Sequence, residues 1–250
     1  VCRPLFLAAL LLGAAAPPLA PAETPAPVEA ARTLLRAYHE DPARLDRARE
    51  LLEAHLIGGD APDVPTLLVL ARTWFLTGDV RAHTEADRIA AYARGRDYAR
   101  RATVLAPDSA AAHLWYAITL GSWAKAKGLL RSALTLREVR REVDTVLRLE
   151  PANIQAHIMA GSMARELPAL FGGDHQVAEA HFKTARRLDP HRTGVRIELA
   201  QLYIDMGRYG EARQELDAVL AEPAPTDRPR WTLKEVPRAR RLLESIRDKQ

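Results

Sequence analysis

Cysteine is nearly absent from this chain. The one thiol among 250 residues is Cys2, and it falls in a segment expected to be removed, so a disulfide framework and thiol chemistry are both excluded. Aromatic residues make up only 6%, and the β-branched and aromatic runs that strands need are scarce. Basic residues are not concentrated into a run with aromatics between them. The formal charge of +4 comes from arginines mixed with acids, the composition of solvated helix faces, and no nucleic-acid footprint is expected. Catalytic signatures are missing as well. There is no G-x-S-x-G elbow, no H-E-x-x-H, no phosphate loop and no G-x-G-x-x-G. Neighbouring ionisable residues such as Asp174 and His175 come without the oriented third group that catalysis requires. The expectation is a protein that is not an enzyme and holds neither cofactor nor metal.

What is present is Ala, Leu and Arg in quantity, with 48% hydrophobic and 27% charged residues. Unbranched side chains lose little rotamer freedom in a helix, so this mixture favours an all-α fold. Residues 1–22 have Arg3, an apolar core from Phe6 to Ala16, and the small-residue stop Ala20-Pro21-Ala22. That core is too short to span a bilayer comfortably, and the pattern reads as a cleaved secretory signal; an uncleaved anchor is the alternative. The expected location is periplasmic or secreted, with no transmembrane span after cleavage. Residues 23–28 are Pro-rich and read as a flexible lead-in to a helical domain over 29–250.

The domain repeats itself. Small or apolar residues recur at intervals of four, three and five before a stop: Gly95, Ala99, Ala102, Pro107; Val139, Val143, Val146, Pro151; Ala178, Phe182, Ala185, Pro190; and Ala212, Leu216, Val219 near Pro223 and Pro225. The first three of each set share one helical stripe, and proline ends the helix because it lacks an N–H and clashes with the preceding turn. Ten residues beyond each of the three stops stands a small residue, namely Ala117, Gly161 and Ala200. Leu70, Ala71, Trp74 and Gly78 repeat the first half of the pattern, and Leu199, Ala200, Tyr203, Gly207, Tyr209 and Ala212 nearly all of it.

Over residues 64–225 this spacing resembles the tetratricopeptide repeat (TPR), with 29–57 as a degenerate capping unit. The resemblance implies a TPR-type α-solenoid, a right-handed superhelix of about five helix pairs plus a C-terminal capping helix over 233–247, with Trp231 packed on the last repeat. The stops at 107, 151 and 190 lie 44 and 39 residues apart, against an ordinary period of about 34. The surplus falls in the A–B connections around 121–138 and 166–176, read as loops, and helix B over 83–106 is lengthened. Within this frame the segments at 113–128, 142–161 and 166–174 resemble, over roughly 90–220, bacterial relatives of the regulator of microtubule dynamics family and the T-component of periplasmic TRAP transporters. The second relation implies a ligand-binding or docking role beside a substrate-binding protein. Microtubule binding is not carried over, because an exported chain meets no microtubules.

TPR superhelices line their groove with the outward face of each helix A. Counted from the small residues, that face includes Arg72 and Phe75; Gln155, Ser162, Arg165 and Glu166; and Ile197, Gln201 and Asp205. A mixed surface of this kind suits a protein or peptide partner, or a polar small molecule. Trp115, Tyr116 and Trp123, with Lys125 and Lys127 beside them, are read as lying on one helix and the loop after it. They either form a contact surface or fill the core. His113 and His157 share a repeat position and are expected to pack between their own helices, since no third metal ligand follows from the spacing. Leu167-Pro168 should stop a helix, Gly172-Gly173 should turn with positive φ, and Asp174 should cap the next helix.

Overall fold

The computed structural model describes residues 25–58, 62–128 and 133–249, all helices and connections with no strand among them. The predicted signal segment and Gln250 lie outside these residues. No helix among them is long and apolar enough to cross a membrane. Five helical hairpins follow one another: α1 (Ala26–Arg36) with α2 (Arg44–Gly58), α3 (Val64–Leu76) with α4 (Glu85–Leu105), α5 (Ala110–Ala126) with α6 (Ala133–Leu149), α7 (Ile154–Glu166) with α8 (His175–Leu188), and α9 (Thr193–Asp205) with α10 (Tyr209–Ala221). A short turn, α11 (Arg228–Arg230), then leads through a π-helical turn (Trp231–Glu235) into α12 (Val236–Ser245).

The helix starts follow from the stops. Two residues after Pro107 the Ser109 side chain accepts from Ala112 N, and two after Pro151 the Asn153 side chain accepts from Ala156 N. Each satisfies one of the orphan N–H groups of a helix start. At the third stop the same place is Arg192, which gives no side-chain cap. Helix α4 opens with a reciprocal capping box between Thr84 and Asp87. The stripe residues Ala99, Ala102, Val146, Ala178, Phe182, Ala185, Ala212, Leu216 and Val219 are fully buried, and Val139 and Val143 nearly so, so the spacing located the core.

Three expectations shift. Helix α1 already begins at Ala26, and Val28 is in the core, so the lead-in is shorter than 23–28. The connection around 121–138 is mostly helix, because α5 runs to Ala126 and α6 starts at Ala133. Trp123 therefore stands on α5 and not in a loop. The capping helix proper starts at Val236, preceded by the wider π-helical turn.

That C-terminal region does more than cap. Trp231 packs on the last repeat and donates from Nε1 to Val219 O at 2.8 Å. Three residues on, Lys234 Nζ donates to the backbone carbonyl of Asp79 at 2.6 Å, and Leu233 joins the core of the first two hairpins. Residues 225–235 thus form a strap across the inner face, from the last repeat to the first. Glu235 anchors it at the start of α9, accepting from Thr193 Oγ1 at 2.5 Å and Arg230 Nε at 3.1 Å. Residue 194 is glycine, and a Cβ there would lie 2.7 Å from the Glu235 carboxylate.

Candidate functional site beneath the strap

The inner helices of the hairpins and the strap line a half-open cavity of about 980 Å³. Its floor is built by α3, α5 and α7, which contribute Arg72 and Phe75, then Trp115 and Ile118, then Ile158, Met159 and Ser162. Its roof is Pro225, Asp227, Arg228 and Arg230, and Tyr38 stands at the α1 end. Phe75 sits between Tyr92, with ring centroids 5.8 Å apart, and Trp115 at 6.2 Å, which fixes an aromatic wall. Arg230 retains 44% of its side-chain surface. Arg230 is thus an exposed side chain on the cavity wall.

Of the residues expected in the groove, Arg72, Phe75, Gln155, Ser162 and Glu166 line the cavity, as do Trp115 and Lys125. Arg165, Ile197, Gln201 and Asp205 do not. Ile197 is buried in the core with Ala239 and Ile246. Gln201 and Glu198 both accept from Arg238 of α12. Arg165, with 9% of its side chain exposed, binds Asp205, Glu166 and Glu198. Ile197 and Gln201 lie under the C-terminal segment, whereas Arg165 and Asp205 pair with each other, and Asp205 keeps 37% of its side-chain surface.

The other aromatic candidates separate. Tyr116 is buried and donates to Glu138 at 2.7 Å. Trp123 lies outside the cavity, with the Arg96 guanidinium 4.4 Å and Lys127 Nζ 5.1 Å from its ring. Of the described residues in the two stretched connections, Gly121, Ser122, Lys125, Leu136, Glu166 and Leu167 reach the cavity. Sequence reasoning missed Tyr38 and the roof. The one signal for the roof was the dense Arg228-Pro229-Arg230 run, too proline-rich for an ordinary helix end.

The paired histidines are repeat clamps. His113 Nε2 donates to Pro107 O at 2.7 Å, and its Nδ1 lies 2.6 Å from Glu142 of the partner helix α6. His157 Nε2 donates to Pro151 O at 2.9 Å, and its Nδ1 faces His181 Nδ1 of α8 at 2.9 Å. In the next repeat Arg196 takes the position, reaching Pro190 O at 3.5 Å and Glu215 of α10 at 2.8 Å. Each ties the start of a helix A to its stop and to its helix B. Among the described residues no three His, Cys, Asp or Glu side chains converge as a metal site.

With Nε2–H committed to a carbonyl, neutral His157 can only accept at Nδ1, so His181 donates. Burial, together with the charge of a protonated His157, lowers the His181 pKa from 6.5. A depressed folded pKa stabilises the fold above about 6.5, and this contribution is lost as the pH falls through it. Glu179, held down to about 2 by its hydrogen bond from Arg208, stays charged over that range. The melting temperature should therefore fall between pH 7 and pH 5, and His181→Gln should remove most of that fall. Equal slopes for both proteins in a calorimetric pH series would refute the assignment.

The described fold is that of a TPR solenoid, a class whose members generally mediate protein–protein interaction. The tetratricopeptide-repeat family matches residues 172–235. The family described as Regulator of microtubule dynamics protein 1-3 matches residues 28–170, more than half of the chain, and the protein belongs to that family. Its span begins earlier and ends earlier than the 90–220 read from the sequence. Regulator of microtubule dynamics protein 3 of Rattus norvegicus is 26% identical over 148 residues, which is 52% of this chain and 31% of the relative. The Mus musculus protein of the same name is 25% identical over 137 residues, 48% of this chain and 29% of the relative. The chain thus spans about a third of these relatives. TTC0263, a thermophilic TPR protein of Thermus thermophilus, superposes with a TM-score of 0.63 over 88% of this chain and 99% of its own, at 21% identity. That likeness shows the fold alone.

Proposed function

We propose that this protein is a non-enzymatic, exported scaffold, periplasmic or secreted, that binds a protein or peptide partner in the cell envelope. The observation carrying this reading is the inner face itself. Phe75 and Trp115 form an apolar wall beside Arg72, whose guanidinium meets no described acceptor. Aromatic and Arg side chains held ready in this way are the usual anchors of interfaces. Export is supported by the pattern of residues 1–22.

The test is quantitative capture from the cell envelope with the tagged mature protein. Arg72→Ala combined with Trp115→Ala should reduce recovery of the partner at least about tenfold, as expected for loss of a hot-spot pair, with helix content unchanged. Recovery equal to that of the wild type would overturn the proposal. Arg165→Ala serves as a contrast, because Arg165 holds three carboxylates inside the fold and its loss should lower stability.

A second reading is favoured by one observation, the roof. A cavity covered by residues 225–235 suits a small ligand better than an open groove does. It supports a ligand-binding or docking accessory of a periplasmic solute transporter of the TRAP type. Expression with, and co-purification of, transporter subunits would test it.

A further inference from the structure

Hydrogen-bonding capacity around the cavity is unevenly spent. At the α7–α9 side the charges are largely paired within the chain: Arg165 and Arg238 share Glu198, only Arg165 Nε staying without an acceptor, and Arg192 donates to Gln155 at 2.9 Å. At the α1–α3 side they are not. Tyr38 is 3% exposed and lines the cavity, yet no described group accepts a hydrogen bond from its hydroxyl. Its ring is buried, but the hydroxyl stays open to the cavity, where a ligand can supply that acceptor. Arg72 has no described acceptor either. Arg230 commits only its Nε, to Glu235, leaving both terminal nitrogens without one. All three line the same cavity, and both arginines act electrostatically on the Tyr38 hydroxyl.

The nearby carboxylates are already engaged. Asp79 faces Lys234 Nζ at 3.6 Å, Asp227 caps the backbone of Arg230 at 3.1 Å, and Glu235 holds Thr193 and Arg230. The donors left over therefore look for an acceptor from outside the chain. The same three acids lower the local positive potential, which favours a single negative charge over a phosphate dianion. Two guanidinium forks and a phenol match a planar carboxylate. Next to them the floor turns apolar, at Phe75, Trp115 and Met159.

We propose that the cavity binds an amphipathic organic acid, its carboxylate held by Tyr38, Arg72 and Arg230 and its apolar body lying along Phe75, Trp115 and Met159. This goes beyond partner docking and does not depend on it. The cavity volume, about 980 Å³, falls at the upper end of what small-molecule clefts offer, roughly 300–1,000 Å³.

The probes are dodecanoate and dodecanol, titrated calorimetrically into the mature chain. They share an apolar body and differ in charge. Dodecanoate should bind about tenfold or more tightly than the alcohol, the worth of one or two charge-assisted hydrogen bonds. Arg72→Gln should abolish that difference, Arg72→Lys should keep part of it, and Tyr38→Phe should reduce it several-fold. Arg72 makes no described hydrogen bond and Tyr38→Phe removes one oxygen, so both variants should melt near the wild type; either one keeps the test decisive if the other fails to fold. Equal affinity for acid and alcohol, no binding of either, or wild-type preference in the folded variants would overturn the proposal. Partner capture together with no dodecanoate binding would refute this inference alone. Dodecanoate binding with no captured partner would refute only the scaffold reading.

Discussion

Phe182→Ala should lower the unfolding free energy by about 3–5 kcal/mol, the range for truncating a fully buried aromatic. Phe182 has no exposed surface and joins α8 to the core that α7, α9, α10 and α12 share. Its ring lies where a side chain at residue 161 would be, since a Cβ built on Gly161 meets Phe182 Cε1 at 2.6 Å. The two positions are therefore coupled. Gly161→Ala alone should be destabilising, because two packed helices would have to separate. In the Phe182→Ala background the added methyl enters the vacated space, and most of its cost should vanish. Urea unfolding of the two single variants and the double variant measures this. Additive losses, or a Phe182→Ala loss below about 1 kcal/mol, would show that the repeat packs differently at this contact.

The second large effect concerns the connection between α7 and α8. Gly173→Ala should cost at least about 2 kcal/mol and loosen the start of α8, a severe effect for a one-methyl change at a loop position. A Cβ at residue 173 would lie 1.7 Å from Leu167 O, a backbone atom that cannot swing aside. The loop is wound tightly onto the end of α7: Gly173 N donates to Pro168 O at 3.1 Å and Asp174 N to Ala164 O at 2.8 Å. The neighbouring glycine matters for another reason. Gly172 has φ 83°, the positive φ expected of this turn, whereas Gly173 has none. Gly172→Ala should cost about 1–2 kcal/mol, the ordinary penalty for that conformation. Hydrogen exchange at the first turn of α8, where Asp174 caps Gln176 and Val177, separates the cases. Gly173→Ala should speed exchange there more than Gly172→Ala, and the reverse order would contradict the steric account.

The helix pairs were legible because each depends on residues close together in the chain. Proline stops, the small residues ten positions later and the stripe of Ala, Val and Phe all act within one or two turns, or between a helix and the next. The stripe residues are buried as their spacing requires. His113 and His157 were legible for the same reason, each bonding the carbonyl of the proline six residues earlier. Arg196 in the same role was overlooked only because its chemistry differs.

The candidate site was half legible. Arg72, Phe75, Gln155, Ser162 and Glu166 line the cavity because helical periodicity alone decides which way they point from α3 and α7. The roof was not legible. Lys234 meets Asp79 across 155 residues, and no periodic signal reports a contact of that separation. The sequence by itself determined an all-helical repeat, its stops, its caps and its core stripe, since these are consequences of local backbone geometry and burial. Only the tertiary structure decided that the last segment folds back over the inner face. Burial of Leu233 in the first core and of Glu235 at the start of α9 is favourable only once the superhelix has brought the two ends within reach. That closure covers part of α9, leaves its Thr193, Gly194 and Glu198 on the cavity wall, and roofs the groove beside Tyr38, Arg72 and Arg230.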